Sequence, residues 1–227
     1  MRIDDFLSRV DPSLHIRCGS IFYSGRCAFT QPSDIYILGL NPGGDPVPHA
    51  DETIGHDIEA IRNQDRECWS AYQDEFWGRK PGTYGIMQPR VLYLLERIGR
   101  DPRQVPASNV VFVRTRRGSD LGQEKSNLLR LCWPFHEAVI QRLGVRHILC
   151  FGGPAGLWVR ERLGANESIG QFQERNRRGW TSEAHRSADG LSVITLTHPS
   201  IAKWDAVETD PTELVLSVLG RSRPSTA

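Results

Sequence analysis

The sequence predicts an α/β protein, a three-layer α/β/α domain around a central four-stranded parallel sheet. Four short runs rich in β-branched residues are apolar along nearly their whole length. Runs of this kind are typical of strands that are buried on both faces. Between them lie segments with apolar residues at helical spacing, and strands that alternate with helices favour a parallel sheet.

Each element follows from its local pattern. The predicted strands cover residues 35–40, 110–113, 147–151 and 192–196. Helices are predicted over residues 90–98, 125–143, 154–163 and 211–219. Pro134 is expected to kink or interrupt the second helix, because proline removes a backbone hydrogen bond. The polar, glycine-rich segment 164–190 is predicted as a loop with room for one hairpin.

The composition is that of an ordinary globular protein, with 39% hydrophobic and 24% charged residues. We expect a single domain over residues 1–220 and a flexible tail over residues 221–227. No apolar run suits a membrane span, and the N-terminus lacks the pattern of a secretion signal. The five cysteines are irregularly spaced, so we expect no disulfide framework and a cytoplasmic location.

The net charge of +1 hides two basic clusters. Their members are Arg114, Arg116 and Arg117 in one segment, and Arg175, Arg177 and Arg178 in another. A nearly neutral protein binds DNA when such charges lie on one face near the phosphates. The alternative is that both clusters are solvated loops.

Unusual segments adjoin three of the predicted strands. Gly39-Leu40-Asn41-Pro42-Gly43 overlaps the end of the first strand, and Thr197-His198-Pro199-Ser200 follows the fourth. Asn109 directly precedes the second. Each segment alone is an ordinary turn. Their joint order is informative, because ligands of open parallel sheets bind at the carboxyl ends of the strands.

Taken in this order, the segments resemble the uracil-DNA glycosylase superfamily over roughly residues 35–219. The Gly39–Gly43 segment resembles the first active-site motif of its mismatch-specific and single-strand-selective branches, and His198-Pro199-Ser200 resembles the second motif. Ser108-Asn109-Val110-Val111 resembles the segment that carries the base-reading asparagine in the iron–sulfur branches. Cys132-Trp133-Pro134-Phe135 and residues 147–152 resemble a helix start and the next strand of those branches.

The resemblance implies the fold of that superfamily and a monofunctional enzyme of base excision repair. Such an enzyme flips uracil out of DNA and hydrolyses its N-glycosidic bond. Asn41 matches the residue that holds the attacking water, and His198 matches the donor to the departing uracil O2. Asn109 matches the residue that reads the Watson–Crick edge of the base. The other residues implied in base binding are Gly39, Leu40, Pro42 and Tyr84.

Tyr84 is the candidate for stacking on the flipped base. Its segment, residues 82–85, precedes a predicted helix much as a Pro-Phe-Val-Gly segment does in the superfamily. The alternative is a loop aromatic that packs on the core.

The resemblance also implies a DNA-binding surface. Its candidate residues are Ser200, Ile201, Lys203, Trp204, Arg114, Arg116 and Arg117. Ser200 would bind a phosphate near the flipped nucleotide, and Lys203 would lie near another. Either Ile201 or Trp204 would wedge into the vacated base stack.

The chain departs from the iron–sulfur branches in its cysteines. Cys18 and Cys27 are too far apart for the close pair of those branches, and Val113 stands at a further ligand position. Cys132 alone matches a ligand, so we expect no cluster, no metal and no cofactor, with Cys132 as a small buried residue. Asp45, close to Asn41, is either a second water-activating group or a turn cap.

The expected partner is DNA that contains uracil or another damaged base, bound by a monomer without a membrane, in the cytoplasm or at the nucleoid of a bacterium. Two other functions stay open. One is a glycosylase for another base, such as hypoxanthine or a modified cytosine, because the insertion over residues 46–81 matches no branch. The other is a lesion-binding module without catalysis. A nucleotide-binding regulator is disfavoured, because Asn-Pro-Gly-Gly is not a phosphate-binding glycine pattern.

Overall fold

The computed structural model describes residues 2–63, 65–77 and 80–221. Its strands are β1 (Ile35–Gly39), β2 (Phe76–Trp77), β3 (Lys80–Pro81), β4 (Ala107–Asn109), β5 (His147–Phe151), β6 (Glu167–Gln173), β7 (Thr181–Arg186) and β8 (Ser192–Leu196). Its α-helices are α1 (Asp4–Leu7), α2 (Arg26–Thr30), α3 (Ile54–Arg62), α4 (Gln88–Arg97), α5 (Lys125–Leu143), α6 (Gly153–Arg162) and α7 (Thr212–Val218). The predicted α/β class is confirmed.

The central sheet has six strands in the order β4-β1-β5-β8-β7-β6. The first four are parallel, whereas β7 is antiparallel to both β8 and β6. The prediction of four strands is therefore wrong in number, because the β6–β7 hairpin, for which segment 164–190 has room, joins the central sheet. This hairpin lies at the edge of the sheet and its residues alternate between exposed and partly buried, so it lacks the apolar run of a central strand.

The second predicted strand is displaced. The run over residues 110–113 lies outside the sheet, and the strand is β4, which ends at Asn109. Val110, Val111 and Phe112 are apolar because they are fully buried in a core, not because they pair in the sheet. Asn109 consequently lies at the carboxyl end of its strand, in register with Gly39 at the end of β1.

Alternate residues of β1 face two cores, one on each side of the sheet. Ile37 belongs to the same core as Leu94 of α4, whereas Tyr36 belongs to the core that contains Phe135 of α5. All four predicted helices are present within about two residues of their expected ends. Helix α5 passes through Pro134 without interruption, so of the two expected effects of this proline only a kink stays a prediction.

The prediction of no disulfide is wrong for one pair, since Cys27 and Cys68 are bonded with their Cα atoms 5.4 Å apart. The two cysteines meet because their segments dock through backbone hydrogen bonds. The Gly25 amide donates to the Trp69 carbonyl over 2.6 Å, and the Cys27 amide donates to the Glu67 carbonyl over 2.9 Å. Spacing along the chain cannot reveal such a long-range pairing.

Three further predictions concern Cys132, the C-terminal tail and membrane spans. Cys132 is buried as expected, and burial raises the pKa of its thiol to about 12. Of the predicted tail, residues 222–227 lie outside the described residues, and the Arg221 guanidinium donates to the Ile98 carbonyl over 3.1 Å. No helix in the described part of the chain combines the length and apolar character of a membrane span.

Candidate functional site

The carboxyl ends of the parallel strands open into a cleft of about 2210 Å³. Asn41, Asn109 and His198 all line it, although they come from three distant segments of the chain. Gly39 and Leu40 line it as well, whereas Pro42 is buried outside its wall. We call the side chains of Asn41, Asn109 and His198 the floor of the cleft.

The amide of Asn41 is held by its nitrogen. Nδ2 donates to Thr115 Oγ1 over 2.7 Å, to the Pro42 carbonyl over 3.1 Å and to the Val113 carbonyl over 3.3 Å. Its Oδ1 accepts no hydrogen bond from the described residues. The orientation of the amide is therefore fixed, and its oxygen is left to accept a hydrogen bond from a bound water.

Asn109 is packed closely against the backbone of β1. It is only 6% exposed, and a Cβ atom at Gly39 would lie 2.1 Å from its Oδ1. Any side chain at Gly39 would displace this amide, so the glycine of the first motif has a steric reason. Tyr23 lines the cleft near Asn109, and burial raises the pKa of its hydroxyl to about 12. Tyr23 thus stays neutral at physiological pH.

His198 is set up as a neutral donor. The Ser200 amide donates to His198 Nδ1 over 3.1 Å, and Ser200 Oγ lies 2.8 Å from the same nitrogen. A ring nitrogen that accepts from a backbone N–H carries no proton, so the neutral ring carries its proton on Nε2. Burial lowers the pKa of His198, which favours this neutral form.

A glycine turn makes room for the His198 ring. Gly152 follows β5 with a φ of +91°, and a Cβ atom there would lie 3.3 Å from His198 Cδ2. The contacts between Ser200 and His198 Nδ1 change the role predicted for Ser200. Its hydroxyl is engaged with His198 rather than free for a phosphate, so Ser200 orients the histidine ring.

Two aromatic predictions are wrong. Tyr84 is 81% exposed and does not line the cleft, because its short 3₁₀ turn places it on the outer surface. It neither stacks over the floor nor packs on the core. Trp204 is fully buried against Phe151, with ring centres 5.3 Å apart, and its Nε1 donates to the Thr197 carbonyl over 3.0 Å. It is therefore unavailable as a wedge.

Ile201 and Lys203 remain on the surface beside the floor. Ile201 is 51% exposed and lines the cleft, so it is the accessible one of the two wedge candidates. Lys203 is exposed and has no ion-pair partner among the described residues.

The loop with Arg114, Arg116 and Arg117 is largely neutralised. The Arg114 side chain is 15% exposed, forms an ion pair with Glu52 over 2.8 Å and donates to the Gly43 carbonyl over 2.8 Å. Arg116 forms an ion pair with Asp45. Only Arg117 is exposed without an ion-pair partner among the described residues. The prediction of three phosphate contacts here is therefore wrong for Arg114, which is bound inside the loop.

Asp45 has the geometry of a turn cap. Its Oδ1 accepts from the Val47 amide over 3.1 Å, and its other oxygen pairs with Arg116. The hydrogen bond from Arg116, followed by that from Val47, lowers the pKa of Asp45. A carboxylate with a lowered pKa is a weaker base, which disfavours Asp45 as a water-activating group.

The insertion over residues 46–81 lines one wall of the cleft. Asp57 of α3 is 7% exposed and accepts from the amides of Ile21 and Phe22 over 2.7 and 2.9 Å. It also accepts from Ser20 Oγ over 3.0 Å and from Arg66 over 2.7 Å. These bonds occupy the carboxylate and hold the segment that carries Tyr23, so Asp57 has a structural role.

Sequence reasoning missed Tyr23 and Gln88 in this site. Gln88 begins α4, is 4% exposed and lines the cleft, and its Oε1 has no partner among the described residues. Arg90 in the same turn donates to the Pro199 carbonyl over 2.6 Å, which places the helix start beside His198. A buried amide without a partner is costly, so Gln88 marks a place for a water or a bound molecule. No local pattern singles out either residue.

Within the described ranges, no three His, Cys, Asp or Glu side chains are grouped closely enough to hold a metal ion. No protein-family model matches the chain, and the search of curated proteins yields no match.

Proposed function

We propose that the protein is a DNA glycosylase that accepts a flipped uracil in the cleft and hydrolyses its N-glycosidic bond. One observation supports this above all others. Asn41, Asn109 and His198 come from three segments that resemble motifs of the uracil-DNA glycosylase superfamily, and they meet on one floor at the carboxyl ends of the parallel strands. A superfamily-like core of four parallel strands, extended by the β6–β7 hairpin, is part of the proposal.

The departing base is the main point of catalysis. The bond between C1′ of the sugar and the base nitrogen breaks with its electron pair on the base, so negative charge develops on uracil O2. His198 donates from Nε2 to that oxygen without losing its own proton. A neutral donor that is already oriented by Ser200 stabilises this charge with little reorganisation.

The water held by Asn41 attacks the sugar. The oxygen of this water bonds to C1′ as the base leaves, and one proton of the water passes to the solvent. An amide oxygen orients a water but is a poor base, so Asn41 contributes position rather than deprotonation. The three hydrogen bonds from Asn41 Nδ2 keep the accepting oxygen fixed during this step.

Asn109 reads the edge of the base. A carboxamide offers one donor and one acceptor, which complement uracil O4 and N3–H. The close approach of Gly39 and the burial of the Asn109 side chain restrict the amide to one place. A base with a different edge would leave a buried polar group unpaired, and such a mismatch strongly reduces the reaction rate.

A glycosylase for another base is the second candidate, and Gln88 favours it. Its unpartnered Oε1 would accept a hydrogen bond from an additional N–H group of another base. An exocyclic amine or a purine ring N–H is such a group. Residues of the insertion 46–81 also line the cleft.

The experiment is incubation of the protein with labelled oligonucleotides that carry uracil, hypoxanthine, xanthine or only normal bases, followed by alkaline cleavage of abasic sites. Alkali-sensitive sites at uracil, together with released free uracil, are expected. Cleavage at hypoxanthine or xanthine alone would establish the second candidate. Tight binding to a damaged base without any release would show a lesion-binding module instead.

A further inference from the structure

The cleft is larger than one base requires. Its volume of about 2210 Å³ exceeds the roughly 300–1,000 Å³ of ordinary small-molecule pockets. The floor takes up only the part of the cleft between the strand ends. The remaining space extends toward the outer edge of the cleft, which we call the rim. Part of that rim is formed by Trp180 and Thr181 at the turn of the β6–β7 hairpin, which belongs to none of the motif segments that resemble glycosylases.

Trp180 lies at this part of the rim. It directly precedes β7, and the Ser182 hydroxyl accepts a hydrogen bond from the Thr197 amide over 3.0 Å, which ties this end of β7 to the segment of His198. Trp180 lines the cleft and is 44% exposed. A large aromatic side chain with this much exposed surface at the mouth of a cleft is suited to contact a ligand.

Arg178 fixes the position of Trp180. Its guanidinium carbon lies 4.9 Å from the centre of the Trp180 ring. The guanidinium also pairs with the buried Glu174 carboxylate over 3.1 Å and donates to the Ile201 carbonyl over 3.0 Å. Three contacts therefore hold the arginine in place, and it stacks on the ring. We call Arg178, Trp180 and Ile201 the hairpin platform.

Three exposed cations lie within three residues of members of the hairpin platform along the chain. Arg175, Arg177 and Lys203 are all exposed, and none has an ion-pair partner among the described residues. Charges without acidic partners attract phosphates, and the associated counterions are released on binding. Exposed aromatic surface beside free positive charge fits a single nucleic-acid strand, whose bases stack while its phosphates meet the cations.

We propose that the hairpin platform binds a single strand of DNA and that the base next to the one on the floor stacks on Trp180. This inference rests on the proposed function for the identity of the neighbouring base. Stacking requires an unpaired base face, which a single strand offers and which a duplex offers only beside a flipped nucleotide. Because every base has such a face, the contact is expected to tolerate any sequence.

The test uses a fluorescent single-stranded oligonucleotide of normal bases only, so that binding does not depend on excision. Trp180→Ala is expected to weaken binding by about tenfold, within the range for loss of one base-stacking contact, whereas Trp180→Phe retains most of the affinity. Tyr84→Ala is the matched control, since Tyr84 is an exposed aromatic outside the cleft. Thermal unfolding verifies that each variant is folded.

Equal affinity of Trp180→Ala and the wild-type protein would overturn the inference, as would an equal loss in Tyr84→Ala. Displacement of the oligonucleotide by poly-glutamate, with the same dependence on Trp180, would assign the surface to an acidic protein and also overturn it. Trp180-dependent binding, combined with no excision of uracil, hypoxanthine or xanthine in the alkaline-cleavage assay, would instead contradict the proposed function and leave single-strand binding by the hairpin platform established.

Discussion

The floor and the rim of the cleft are built in opposite ways. On the floor, Asn109 is 6% exposed, and hydrogen bonds with neighbouring residues orient the side chains of Asn41 and His198. On the rim, Trp180 is 44% exposed and several cations have no acidic partner. The contrast is consistent with the proposed function, in which fixed groups on the floor would act on the base and exposed groups on the rim would act on the strand.

The largest expected effect is on the floor. Replacement of His198 by alanine is expected to slow single-turnover excision of uracil by about a hundredfold or more, the scale for loss of one oriented donor. DNA affinity should change little, because the contact strengthens mainly in the transition state. The comparison between floor and rim would fail if this variant kept full activity while Asp45→Asn abolished it, since a carboxylate would then activate the water.

The next effect concerns the choice of base. Asn109→Asp is expected to reduce uracil excision by about a hundredfold, because a carboxylate accepts hydrogen bonds but cannot donate to uracil O4. Activity on cytosine should rise, since its exocyclic amine donates. Tyr23→Phe, which removes the buried hydroxyl near the Asn109 amide, should give a smaller loss of about tenfold on uracil. Unchanged base preference in Asn109→Asp would remove this residue from base reading.

The pH dependence gives a smaller effect that sharpens the role of His198. Because burial lowers its pKa, the neutral ring persists below the ordinary histidine value of about 6.5. The excision rate is therefore expected to stay constant from about pH 8 to 6.5 and to fall only at lower pH, where a proton on Nδ1 replaces the bond from Ser200. An inflection at or above pH 6.5 would argue against a buried neutral donor.

The smallest expected effect shows which basic residues contact phosphates, those near the hairpin platform or those of the Arg114–Arg117 loop. Arg177→Gln combined with Lys203→Gln should flatten the salt dependence of single-strand binding by about 1.4 in slope, or about 0.7 for each lost phosphate contact. Arg116→Gln is the matched control, because Asp45 already neutralises Arg116. A slope that responds to Arg116 and not to the pair would reverse the assignment of the two basic clusters.

The sequence predicts the buried parts of this fold better than the exposed parts. Strands β5 and β8 begin and end where predicted, because both of their faces are buried and their apolar runs are unbroken. Local pattern allows for a hairpin in segment 164–190 but does not place β6 and β7 in the central sheet, because their polar residues at the sheet edge resemble those of a loop. The bond between Cys27 and Cys68 depends on docking of distant segments, which no local pattern records.

The same limit applies to the site. Motif order identifies Asn41, Asn109 and His198, since each adjoins a strand end. It cannot tell which aromatic side chain faces the cleft. Tyr84 and Trp204 looked suitable by position, yet one lies outside the cleft and the other is fully buried. Tyr23 and Trp180 line the cleft only because the chain returns to it in three dimensions.

The most direct test is a crystal structure of the protein with an oligonucleotide that carries a 2′-fluorinated uracil nucleotide. The fluorine disfavours positive charge at C1′, so the base stays attached while it binds. The account predicts a flipped uracil on the floor, with O2 within about 3 Å of His198 Nε2 and the Asn109 amide at its Watson–Crick edge. A uracil that stays stacked in the strand, or His198 Nε2 bound to a phosphate, would contradict it.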